Sequence, residues 1–272
     1  MLARFETLND TEWKQVGEIW DLLDRGDVEA SRRALGALMS ARPGHADLRI
    51  VDAAIALEEG APRRALEALR GAERSADPAL FFHLRALTRY ELAEFERARA
   101  DTQRALAVHP DLAEAHDLLS RIAEHLGQHD EARRHAEAAR AVDGDAPEPL
   151  EISDRDFDAI VKNALAEMPE KVRGALADVP VLVEPLPSRE LLGGEGAVSP
   201  DVLGLFVGRS LRERSVNEVT EAPNAIYVYR RNLLRVCADL EELRREVRIT
   251  VQHEVGHLLG LDEGELEAWG LA

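Results

Sequence analysis

Cysteine is nearly absent, with one residue, Cys237, in 272. A lone thiol excludes an internal disulfide framework and fits a reducing compartment. Basic residues are scarce beside acidic ones: 34 Lys and Arg stand against 52 Asp and Glu, a formal net charge of -18. The deficit divides evenly between the two halves of the chain, so neither hides a basic domain. A surface of that sign repels phosphate backbones, which argues against nucleic acid and against anionic membranes as partners. Long apolar runs are missing as well, and no transmembrane helix is expected. The stretch from Met1 to Gln15 has no apolar core of the signal-peptide kind, so cytoplasmic localisation is the expectation. What remains, 45% hydrophobic residues, is ordinary for a chain that buries a core.

The chain changes character midway. Residues 11–144 are rich in Ala, Leu, Arg and Glu, with apolar residues at helical spacing. A short turn signal followed by an alanine recurs four times, at Gly26 to Ala30, Gly60 to Ala65, Ala93 to Ala98 and Gly127 to Ala132. The alanines stand 35, 33 and 34 residues apart. A second small residue follows each by seven positions, at Ala37, Ala72, Ala105 and Ala139. Pro43, Pro78 and Pro110 close the first three units, and Asp143-Gly144-Asp145 closes the fourth. This pattern resembles the tetratricopeptide repeat (TPR), whose period is about 34 residues. Small side chains let the two helices of a hairpin cross closely, and each hairpin buries its apolar face only against a neighbour. The units depart from the family in lacking most of the large aromatics early in the first helix, and in placing Thr102 where a bulky residue is usual. Residues 1–146 are therefore expected to form an all-α repeat solenoid of about four units. The resemblance implies a protein partner on its concave face.

Residues 147–152 read as a linker, since Pro147 and Pro149 among acidic residues stop the last helix. Residues 153–272 follow as a small α+β domain. Ser153 and Asp154 predict a helix cap, with Phe157, Ile160, Val161, Ala164 and Leu165 on one face of a helix running to about Met168. Short strands are expected at Val179 to Glu184, Leu203 to Val207 and Ala225 to Tyr229, with a glycine-rich loop from Gly193 to Pro200. That loop lacks the Lys-Ser/Thr ending of a phosphate loop. Helix returns from Leu233 to about Leu243, and again from Arg245 to Leu259.

The last helix holds His253-Glu254-Val255-Gly256-His257, an HExxH pattern. Residues i and i+4 share a helical face, so both imidazoles reach one zinc ion, and Glu254 can face water beside it as general base. Ile249, Val251, Val255, Leu258 and Leu259 make the helix apolar around the motif, and its two histidines are the only ones in the second half of the chain. Gly260 stands where the helix must end for the chain to turn back toward the metal. A catalytic zinc takes three protein ligands. In metzincin-type sites the third follows the second histidine by six residues; here that is Glu263, with Asp262 as runner-up or as an orienting partner. The other reading of this acidic run is a solvated cap. Tyr227 and Tyr229 alternate on a strand, either as donors to an oxyanion near the metal or as packed aromatics. Arg230 and Arg231 read either as a solvated strand end or as a site for a substrate carboxylate, and Cys237 as a small core residue.

Residues 153–270 resemble the bacterial minimal zincin-like metallopeptidases. The resemblance rests on Phe157, Ala164, Leu165 and Pro169, on Val181 to Pro187, on Leu203-Gly204-Leu205-Phe206, on Ile226 to Leu233 and, most specifically, on His253 to Glu263. It implies a compact zincin fold with Zn2+ held by His253 and His257 and with Glu254 as base. The last methionine is Met168, which excludes the methionine turn of metzincins. The sequence thus points to a multidomain α and α+β protein, a zinc metallopeptidase that hydrolyses a peptide or protein substrate beside a repeat scaffold. The rival expectation is a non-catalytic interaction scaffold with a structural or relic metal site.

Overall fold

The computed structural model describes residues 7–73, 76–144, 149–193, 197–210, 224–261 and 264–265. The chain divides into two compact units, Met1–Ala146 and Pro147–Ala272.

The first unit is a stack of helix pairs. α1 (Asp10–Asp24) packs with α2 (Val28–Ala41), and α3 (Ala46–Glu58) with the short α4 (Pro62–Ala68). α5 (Pro78–Glu91) pairs with α6 (Phe95–Val108), and α7 (Ala113–His125) with α8 (His129–Val142). The residue two before each second helix adopts the left-handed conformation: Gly26 at φ 76, Gly60 at φ 66, Ala93 at φ 55 and Gly127 at φ 72. Glycine takes that geometry without a Cβ penalty, and Ala93 is the exception. These turns set the true register of the repeat, and they correct one detail. Ala65, Ala98 and Ala132 occupy the fourth position of their helices and are buried at the crossing. In the first pair that position belongs to Ser31, not Ala30, and Leu38 is buried where Ala37 was expected. A buried hydroxyl needs a partner, and Ser31 Oγ donates to the Asp27 carbonyl at 2.9 Å. Thr102, likewise fully buried, donates to the Ala98 carbonyl at 2.9 Å.

The second unit starts with α9 (Asp154–Ala166), capped by Ser153, whose hydroxyl accepts from the Asp156 amide. After α10 (Glu170–Ala175) come β1 (Val181–Glu184), α11 (Arg189–Gly193), β2 (Gly204–Val207) and β3 (Ala225–Tyr229). Among the described residues these strands form one mixed sheet of order β1-β3-β2, with β1 parallel and β2 antiparallel to the central strand. α12 (Arg230–Val236) leaves directly from the end of β3, and α13 (Leu240–Leu259) follows. The first helix and three strands lie where periodicity placed them. The helix break does not: α13 is one 20-residue helix that already begins at Leu240. Asp239 is the reason, since its carboxylate accepts from the Glu241 and Glu242 amides, both at 2.8 Å, and fixes a start there.

Alternation along β3 sends Ile226 and Val228 to one face of the sheet. There they meet Phe157, Ile160, Val161 and Ala164 from α9 and Val247, Val251, Val255 and Leu258 from α13. The α13 residues recur at steps of four and three, a single buried stripe. At about 1.5–3 kcal/mol for each fully buried aliphatic side chain, that stripe anchors the helix carrying the HExxH motif.

Candidate functional site

The motif sits on the last turns of α13. Gly260, at φ 76, ends the helix, and its amide and that of Leu261 donate back to the His257 and Gly256 carbonyls, both at 3.0 Å. The Schellman-type ending keeps the final turn intact up to His257.

His253 and His257 are half-buried, and their Nε2 atoms approach to 2.9 Å. The ring planes are perpendicular and the centroids 4.5 Å apart. At that separation one ring nitrogen donates a hydrogen bond to the other, the roles being set by the tautomers. Two zinc–nitrogen bonds of about 2.0–2.1 Å at a tetrahedral angle put the nitrogens a little over 3 Å apart. The pair therefore fits zinc after a small opening movement. Among the described residues no group of three His, Cys, Asp or Glu side chains gathers as a metal site. Glu263, expected as third donor, and Asp262, its runner-up, lie outside the described residues.

Glu254 is 7% exposed. Its Oε2 accepts the Phe206 amide at 2.7 Å. The register of β2 explains why that amide is available. Tyr229 N donates to Leu203 O at 2.8 Å, so odd-numbered residues of β2 bond β3, while Gly204 and Phe206 turn their backbone groups outward. α13 packs against β2, with little room at Gly204. A Cβ there would lie 2.6 Å from Thr250 Cγ2 and 3.0 Å from Glu254 Cγ. The strand edge thus packs on the Thr250–Glu254 face of the helix. The role of the Phe206 amide escaped sequence reasoning, because a backbone donor leaves no trace in residue identity. The Leu203-Gly204-Leu205-Phe206 run was its only signal.

The two tyrosines differ. Their rings lie nearly parallel with centroids 6.3 Å apart. Tyr227 is half-buried, whereas Tyr229 is 1% exposed and its hydroxyl has no hydrogen-bond partner among the described residues. Burial, reinforced by Tyr227, Glu184 and Glu254, raises the Tyr229 pKa and keeps the phenol protonated. Arg230 forms an ion pair with Asp154 at the start of α9. Cys237 is buried in the core, its thiol pushed up to about 11 by desolvation and then by Glu242 and Glu246. That excludes a thiolate nucleophile at neutral pH. A cavity of about 720 Å³ borders the first half of α13, lined by Asn163, Glu167, Arg244 and Arg248, away from the histidine pair.

Residues 176–271 match the family described as zincin-like metallopeptidase. No curated protein matches the chain by sequence. Among solved structures, the crystal structure of MamA is similar at 20% identity and a TM-score of 0.40, over 57% of this chain and 85% of that one. Among the described residues no helix is long and apolar enough to cross a membrane.

Proposed function

We propose, from a chain whose residues 176–271 carry a zincin-like metallopeptidase domain, that the protein is a zinc-dependent peptidase. The observation that carries this reading is the convergence of the His253 and His257 Nε2 atoms at 2.9 Å beside the buried carboxylate of Glu254. His253 and His257 would hold Zn2+, with Glu263 as third ligand and Asp262 as its runner-up. When bound, the ion supplies Lewis acidity toward a peptide carbonyl and toward water. Glu254 takes a proton from the attacking water as its oxygen bonds the carbonyl carbon, and passes that proton to the departing amine nitrogen as the C–N bond breaks. Tyr227 and Tyr229 are the candidate oxyanion donors, the Tyr229 hydroxyl having no partner among the described residues.

The helix pairs of the first unit supply a docking scaffold. Trp20, Leu23 and Asp24 of α1, Ala54, Leu57 and Glu58 of α3, and Leu84 and Leu87 of α5 line a groove of about 470 Å³ that is part apolar and part acidic. A groove spanning three successive hairpins suits a protein partner or a substrate tail on the concave face of the stack.

The test is metal content together with turnover. Purified wild type is expected to hold about one zinc per chain, with His253→Ala holding none. Glu254→Ala should keep its zinc and lose about 10²–10⁴-fold in peptide cleavage. Zinc binding without cleavage of any peptide in a mixed library would leave the rival reading, an interaction scaffold with a structural metal.

A further inference from the structure

We infer that the β2 backbone from Gly204 to Phe206 is the positioning element for Glu254, with the Phe206 amide orienting the carboxylate and the bare Cα of Gly204 making room for its stem. This inference rests on the hydrolytic reading above and says what in the fold places the base.

Three observations carry it. The Phe206 amide points away from β3, because Phe206 and Ile226 are opposite residues of the pair that exchanges no ladder hydrogen bonds. Its donor therefore needs a partner from outside the sheet. The partner is Glu254 Oε2 at 2.7 Å, the length of a charge-assisted bond, on a side chain 7% exposed. A carboxylate on a helix has several rotamers open to it, and a short bond to a rigid strand favours one of them.

Gly204 sits two residues earlier on the same outward-facing side. Its φ requires no glycine, so backbone conformation does not explain the residue; close approach does. A methyl group would press on Thr250 Cγ2 at 2.6 Å, on Glu254 Cγ at 3.0 Å and on the Tyr227 carbonyl at 3.2 Å. Ordinary carbon contacts begin near 3.5 Å, so the Cβ displaces strand or helix by about 1 Å. Thr250 and Glu254 are one turn apart, so the strain falls on the turn that carries the carboxylate.

The test uses the full chain labelled with ¹⁵N-phenylalanine, and the substitutions Gly204→Ala, Gly204→Ala/Thr250→Ser and Glu254→Ala. Hydrogen exchange of the Phe206 amide is expected to be slow in wild type and about tenfold or more faster in Glu254→Ala and in Gly204→Ala. In peptide cleavage Gly204→Ala should lower kcat about 10²-fold, with KM and zinc content unchanged. Thr250→Ser removes the 2.6 Å obstacle, so the double variant should recover much of both the protection and kcat. Equal Phe206 exchange in wild type and Glu254→Ala would overturn the proposal, and so would a wild-type kcat in Gly204→Ala. Absence of turnover in zinc-loaded wild type removes the base role, and the proposal falls with the peptidase reading. Wild-type turnover with an unaltered Gly204→Ala variant removes the proposal alone.

Discussion

Asp101 is the most exacting point in the repeat unit. It lies on α6 with its side chain fully buried. Its carboxylate accepts two bonds from Arg85, at Nε and Nη2, each 2.7 Å, and another from Arg89. Arg104 approaches at 3.4 Å. One negative charge thus answers several positive ones, and the side chains of Arg85 and Arg89 are only 18% and 22% exposed. Asp101→Ala leaves both guanidiniums without their main counter-ion. Arg85 is also held over the Phe81 and Phe82 rings, at 4.8 and 5.3 Å, which hinders its escape to water. Removing one partner of a buried ion pair costs about 3–5 kcal/mol. The residual exposure of both arginines places this case near the lower figure. With a urea dependence of about 1–3 kcal/mol per molar, the unfolding midpoint of the repeat unit drops by at least 1 M, roughly. Circular dichroism in a urea series measures it. Replacing Asp101, Arg85 and Arg89 together by Leu, Met and Met should recover most of the loss, because a packed apolar set avoids the desolvation of all the charges. A loss of under about 1 kcal/mol in Asp101→Ala would refute the argument and put the cluster with exposed salt bridges.

Two further outcomes concern the same unit. Ala93→Gly should raise its stability by up to about 1 kcal/mol, because the strain of a left-handed alanine exceeds the extra unfolded-state entropy of glycine; a lower melting temperature would contradict this. Burial lowers the pKa of His83, whose Nδ1 has no partner among the described residues. The folded state then binds the proton less readily than the unfolded state, whose value is about 6.5. Stability is therefore complete above that pH and falls as pH drops below it. His83→Gln should flatten the decline in a melting series from pH 7.5 to 5.5, and an unchanged slope would exclude His83 as its source.

Much of the molecule was legible from residue order. Period and turn chemistry marked four helix hairpins, since the turn glycines and crossing alanines answer to local sterics that any chain of this sequence meets. The strands Leu203 to Val207 and Ala225 to Tyr229 were visible in their β-branched and aromatic content. The histidine pair was visible because a helix brings residues four apart to one face whatever surrounds it. Local signals faltered where two of them competed. Asp239 capped α13 earlier than periodicity suggested, and Gly26 shifted the first crossing from Ala30 to Ser31.

The sequence by itself determined which residues carry the candidate chemistry, because helical spacing is set by backbone geometry alone. Tertiary structure alone decided how those residues are held. The Phe206 amide reaches Glu254 across 48 residues of sequence. It does so because the β2–β3 register turns that amide outward and the buried stripe of α13 brings the helix against the strand edge. Gly204 has meaning only in that contact, where the space for a methyl group is already taken by Thr250 and Glu254. Register and packing are properties of the whole folded unit, set by the combined burial of many side chains, and no local window of the sequence contains them.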